Sequence, residues 1–244
     1  MSEKKVHPLK IKTDLSSSLS SDSPILTNNP VNIINEYTTK NLNALKSGDI
    51  IMCHSSSQDS ITDKIIEDAT YSPWEHCGIV LKDPYWINSD LKGLYILQSG
   101  WGPNGYPDIL NNNVSGVTLN RLYDFLCNRI KIYVISISKT SWNESEKQKF
   151  SKAFANVHGK QYDKNICHWF IVGISSILKC ECCSRKVIKR EDKQLWCSAL
   201  VAYMYTQMGW LNKTDDWTCE TPADIIKWKL QDNYLLSEPW LLKK

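Results

Sequence analysis

The apolar residues of this chain fall mostly into short runs before about residue 140 and at helical spacing after it, and that change constrains the fold more than any other feature. Before it they come in short runs, Ile50-Ile51-Met52-Cys53, Glu75 to Leu81, Leu94 to Ser99 and Ile130 to Ser136, separated by loops rich in Asn, Gly, Pro and Asp. Runs of this kind read as strands. After it the spacing is helical. Ser141-Trp142-Asn143-Glu144 has the form of a capping box and predicts a helix to about Val157, and Ile166 to Leu178 predicts a second, more apolar one. Trp196 to Met208 predicts a third, with Leu195, Ala199, Leu200, Ala202 and Tyr203 as its buried face and Gly209 as its stop. Thr221-Pro222 starts one last helix. A β centre followed by a helical half is an α+β arrangement.

Residues 1 to 29 are Lys-rich and then Ser-rich, and read as a flexible tail; Val31 to Lys46 reads as a short helix or extended lead-in packed on the domain edge. The turn Lys46-Ser47-Gly48-Asp49 opens the domain proper, so 1–45 is tail and lead-in and 46–244 one domain. Ser60 to Ala69 has a capping signal and helical spacing. With 29 Lys and Arg against 26 Asp and Glu, the net charge of +3 is too small for a nucleic-acid binder. The longest nearly apolar run, Trp169 to Leu178, is too short for a transmembrane segment, and no apolar stretch follows Met1-Ser2-Glu3-Lys4-Lys5 as a secretory signal would require. A cytoplasmic location with its nine cysteines reduced is the expectation. The Asn- and Lys-rich, Arg-poor composition suggests an AT-rich genome such as that of a large DNA virus or a protist; a viral origin would extend the location to host cytoplasm or virion.

Cys197 falls in the first turn of the helix read from Trp196 to Met208. A helix N-terminus favours the thiolate, and its free N–H groups suit an oxyanion; the plain alternative is a buried core thiol. A thiol nucleophile needs a base. His76 heads a strand, with Gly78 on the same face leaving room for another backbone or a substrate, although a half-exposed strand histidine would look the same. Gln98 follows the apolar part of the next run, from which an antiparallel neighbour would deliver its carbonyl to the imidazole; an exposed strand end is the other reading. His54, Trp74, Trp101 and Ser198 are candidates to line a substrate cleft. His158 is expected to help end its helix. A rival cluster, Cys180, Cys182 and Cys183 with Cys167-His168 upstream, offers soft ligands at a spacing tighter than usual zinc sites, so no metal or other cofactor is assigned.

Taken in order, Gly48-Asp49-Ile50-Ile51, Ser60 through Ala69-Thr70 to Ser72, Trp74, His76, Gly78-Ile79-Val80, Gly159-Lys160-Gln161-Tyr162-Asp163 and Trp196-Cys197-Ser198 with Leu200-Val201 resemble the circularly permuted NlpC/P60 papain-like enzymes, the YiiX-like and poxvirus group. The resemblance covers about residues 46 to 230 and implies a papain-like α+β fold, a central antiparallel sheet packed against helices. In that family the His precedes the Cys. The resemblance assigns Cys197 as nucleophile, His76 as base and Gln98 as third member of a triad that forms an acyl-enzyme. It implies a hydrolase or acyltransferase acting on an amide, ester or thioester of a peptide, peptidoglycan-like or lipid acyl substrate. The family commonly has Glu at the third position and Cys-Ser-Glu-Leu-Val at the nucleophile, where this chain has Gln98 and Ala199. Those departures keep a catalytically inactive papain-like binding module in play, and the soft-ligand cluster Cys180 to Cys183 keeps a zinc-stabilised interaction protein as a third reading.

Overall fold

A computed structural model describes residues 36–54, 73–100, 107–127, 129, 131–162, 195–212, 217 and 220–243, all within one unit spanning Asn32–Lys244. The tail over 1–29, the helices expected at Ser60 to Ala69 and Ile166 to Leu178, Trp101 and the Cys180 to Cys183 cluster lie outside the described residues. Strands β1 (Ile50–His54), β2 (Trp74–Lys82), β3 (Leu94–Gly100), β4 (Gly116–Arg121), β5 (Ile132–Ile135) and β6 (Trp240–Lys243) form one sheet in the order β4-β3-β2-β1-β5-β6. Every neighbouring pair is antiparallel. The fold is α+β.

The sheet is buried on both faces, which is why its central strands read as nearly unbroken apolar runs. Period-two alternation sends Ile50, Met52, Cys77, Ile79, Leu81, Leu97, Val117 and Leu119 to one face and Ile51, Cys53, Val80, Ile96 and Val134 to the other. The first face is covered by α3 (Glu144–Val157), through Phe150, Ala153, Phe154 and Val157, and by α4 (Cys197–Met208). The short α5 (Pro222–Ile225), capped by Thr221 and Asp224, adds Ile225. The second face is covered by Leu45 and by Leu122, Phe125 and Leu126 of α2 (Leu122–Cys127). Buried Thr38 in α1 (Glu36–Leu42) and buried Leu45 make the lead-in part of the folded unit.

Two local readings change. The N-cap of α3 is Asn143: its Oδ1 accepts from Glu146 N–H and Glu146 Oε2 accepts from Asn143 N–H, both at 2.9 Å. Ser141 is displaced from that role because Trp142 is drawn into the core, its ring 5.0 Å from Phe150 and 5.5 Å from Trp210. His158 does end α3, as its C-cap with its backbone N–H donating to Phe154 O at 2.8 Å, but its ring turns elsewhere: Nε2 lies 2.8 Å from Asp108 Oδ2 while the ring stacks on Phe154, so the ring's partner is a carboxylate and not the helix end.

What holds α4 on the sheet bears directly on Cys197. Gly209 ends the helix at φ 77°, in the left-handed region that glycine adopts freely. Tyr205, buried, donates its hydroxyl to the carbonyl of Gly48 at 2.5 Å, tying the helix to the turn before β1. That turn is bolted in place by Asp49, whose carboxylate accepts from Lys46 N–H at 3.0 Å and Ile137 N–H at 3.2 Å.

Candidate active site

Cys197 is the first residue of α4, with Trp196 as its N-cap in extended conformation. The first helical hydrogen bond is Leu200 N–H to Trp196 O at 3.0 Å, so the N–H groups of Cys197, Ser198 and Ala199 precede the helical ladder. The segment feeding the helix is clamped on two sides. Ser99 Oγ, at the end of β3, donates to Leu195 O at 2.5 Å, and Leu195 N–H donates to Gln161 O at 3.1 Å. On the other side the carbonyl of Glu220 accepts from Trp196 Nε1 at 3.1 Å and from Ser198 Oγ at 2.7 Å. Of the expected cleft set, Ser198 is buried and its hydroxyl is given to the Glu220 carbonyl.

His76 and Gln98 meet as the strand reading anticipated. His76 Nε2 lies 2.7 Å from Gln98 Oε1. An amide oxygen only accepts, so Nε2 carries the proton and the bare nitrogen is Nδ1. Gln98 is diagonal to His76 across the β2–β3 ladder, whose last pair is Gly78↔Gln98. The room beside Gly78 is used by β3 itself: a Cβ there would lie 2.8 Å from Ile96 Cγ1 and Cδ1 and 2.9 Å from Leu97 O. It admits a neighbouring strand, not a substrate.

Three thiols gather round this point, and their environments separate them. Cys197 is held well below the ordinary thiol range by its hydrogen bond with the Cys77 thiol and, against the pull of burial, by its contact with the His76 ring and by the Cys77 backbone N–H. Cys77 is pushed well up by burial and by its contact with Cys197. Cys53, on the strand beside His76, is pushed up to about 12 by burial. Of the three, Cys197 is the thiol whose surroundings favour the anion, the form that attacks carbonyl carbon.

His54 and Trp74 are brought together, their rings 5.8 Å apart and edge-on, and Tyr133 of β5 completes the cluster 5.2 Å from Trp74. Trp74 shares its core with Cys197. The polar residues that sequence reasoning missed are Asn120, Thr118 and Ser99. The alternation Val117-Thr118-Leu119-Asn120 carried the signal of a strand with a polar stripe. Among the described residues, no group of three or more His, Cys, Asp or Glu gathers to hold a metal ion, and no helix is long and apolar enough to cross a membrane.

No protein-family model matches the chain, and no curated protein does either. Among solved structures it is similar to the metalloprotein YiiX from Escherichia coli O157:H7, at 20% identity and a TM-score of 0.41. That likeness covers 67% of this chain and 66% of the YiiX chain, so this chain spans about two thirds of the length of the protein it matches.

Proposed function

We propose that the chain is a cysteine-dependent hydrolase or acyltransferase with a permuted papain-like domain, acting on an amide, ester or thioester bond. The observation that carries this reading is the Cys197 thiol, at a helix start and in hydrogen-bonding contact with a His76 ring whose other nitrogen is engaged by Gln98. The order His76, Gln98, Cys197 along the chain supports the permuted form.

In this reading the Cys197 proton passes to His76 Nδ1 and the sulfur bonds to the substrate carbonyl carbon. The resulting oxyanion is met by N–H groups of the first turn of α4. The bond to the leaving group breaks as His76 returns the proton to it, leaving a thioester on Cys197. Water, or another acceptor, gives a proton to His76 and displaces the sulfur, releasing acid or transferred acyl product and the free thiol. Gln98 orients the ring but, being neutral, adds less stabilisation to the imidazolium than a carboxylate would. A peptide, peptidoglycan-like or lipid acyl group fits this chemistry.

Iodoacetamide labelling against pH, with peptide mapping, tests the pair in wild type, His76→Ala and Cys197→Ala. Cys197 is expected to label fastest of the nine thiols near neutral pH and to lose that advantage in His76→Ala. Labelling of Cys197 no faster than the rest, and indifferent to His76, would favour the catalytically silent binding module instead.

A further inference from the structure

His76 acts in the proposed reaction only as the tautomer with Nδ1 bare, and nothing on His76 itself selects that tautomer. A neutral imidazole donates or accepts at either nitrogen, and a glutamine amide presents an oxygen or an NH2 of nearly the same shape. If the Gln98 amide turned over, its NH2 would face Nε2, the ring proton would move to Nδ1, and the ring could not receive the thiol proton. Some other group has to decide which end of Gln98 faces the histidine.

We infer that Asn120 is a positioning residue that fixes the orientation of the Gln98 amide and, through it, the working tautomer of His76; the inference rests on the reading of His76 as base. Gln98 Nε2 donates to Asn120 Oδ1 at 2.8 Å, which leaves Gln98 Oε1 for His76. Asn120 is itself an amide and needs the same decision. Its Nδ2 donates to the backbone carbonyl of Pro107 at 2.9 Å, and its Oδ1 also accepts from Thr118 Oγ1 at 2.9 Å. A backbone carbonyl cannot donate, so the chain of choices ends there.

The relay is built into the sheet. Gly78, Gln98 and Thr118 stand opposite one another on three neighbouring strands. His76 lies two residues before Gly78 and Asn120 two after Thr118, so Gln98 has one partner on either side along its strand. His76, Gln98, Thr118 and Asn120 are 8%, 6%, 3% and 1% exposed, so water offers little to a mis-set amide. Pro107 is held by its neighbour Asp108, which accepts from the N–H groups of Leu110, Asn111 and Leu119. A glutamate at position 98 would have two equivalent oxygens and no wrong orientation. The need for Asn120 therefore follows from this chain having glutamine there.

The test is the tautomer of His76 in the full chain, read by long-range ¹H–¹⁵N NMR of the imidazole and assigned against His76→Ala. Wild type is expected to show Nε2–H. Asn120→Ala is expected to populate Nδ1–H and to slow alkylation of Cys197 by at least ~10-fold. Made in a Gln98→Glu background, the same substitution should slow it less than about twofold, because a carboxylate has no wrong end. Where Asn120→Ala fails to fold, Asn120→Ser, too short to reach Gln98, takes its place. Retention of Nε2–H in these variants, or an equal loss of rate in both backgrounds, would overturn the inference and leave Asn120 as a packing residue. A wild-type Cys197 without His76-dependent reactivity would instead sink the reading of the site, and the tautomer measurement would still decide the role of Asn120.

Discussion

Asp49 gives the chain a pH dependence of unusual sign. The residue is fully buried, with one N–H donor on each carboxylate oxygen. Burial costs the charged form more than those bonds and the nearby Lys46 return, and the carboxyl rises from its ordinary 3.8 to about 6. Between those values the native state holds the proton and the unfolded chain does not. Stability is therefore fully present below about pH 4 and is lost as pH rises through about 6. At ~1.36 kcal/mol for each tenfold change in acidity, the excursion amounts to about 3 kcal/mol. Asp108 works in a different window: burial alone would raise it, but the His158 ring and the N–H groups of Leu119 and Leu110 hold it below its ordinary value. Its contribution is present at higher pH and is lost only as pH falls below about 4. Urea unfolding of wild type and Asp49→Asn at several pH values from about 4 to 7 isolates the Asp49 part. The amide does not titrate, and the N–H it leaves poorly matched is a constant offset. The stability of wild type relative to the variant should fall by about 2.5 kcal/mol across that range, most of the full excursion. A difference that stays flat, or grows with pH, refutes the reasoning.

Gly116→Ala should cost at least ~2 kcal/mol in chemical denaturation, since position 116 has φ +89° and a Cβ would stand 2.1 Å from the backbone oxygen of Lys160; a loss below about 0.5 kcal/mol would contradict the close approach. Gln98→Leu should strand the buried Nε2–H of His76, lowering stability by about 1–3 kcal/mol and slowing Cys197 labelling; a variant as stable and as reactive as wild type would show that the bond does not set the ring. Ser99→Ala removes the donor to Leu195 O and should cost about 1 kcal/mol while speeding amide hydrogen exchange at the start of α4; unchanged exchange there would mean that the other clamps hold the helix alone.

Elements with strong local signals were legible in the sequence, and those defined by tertiary contacts were not. β1, β2, β3 and β5 announce themselves because both their faces are buried, and α4 because Gly209 supplies its stop. β4 does not stand out in the sequence: its polar stripe of Thr118 and Asn120 looks like a solvent face, yet both side chains are buried and paired within the sheet. β6 and α2 are short, and α2 draws its burial from Phe125 and Leu126 packing under strands far away in sequence. For the capping box of α3, Ser141 and Asn143 carry the same local signal, and only the burial of Trp142 chooses Asn143. At the site, the local signals of Cys197, His76 and Gln98 are in the sequence, but the Ser198 hydroxyl carries no local sign of the carbonyl it is given to.

One feature of the sheet explains how a thiol and an imidazole from opposite faces meet. The His76 ring lies 6.0 Å from that of Phe125, in the face that also holds Cys53 and Val80, whereas Cys197 sits in the other core with Cys77. Across a continuous ladder the backbone would stand between them. The β2–β3 pairing stops at Gly78↔Gln98, short of His76. Val80 exchanges hydrogen bonds with Gly48 and Asp49, on the β1 side, so the period of two turns the Cys77 N–H toward β3. Here, past the last rung, that N–H is given to the Cys197 sulfur. The end of the ladder thus does two things at once: it lets Cys197 and His76 come into contact from the two faces, and it supplies the Cys197 sulfur with a backbone donor that one more rung would have consumed. Gln98, standing on the last rung, is the residue from which a side chain reaches His76 at that opening, so the place where pairing stops also determines which strand position faces the ring.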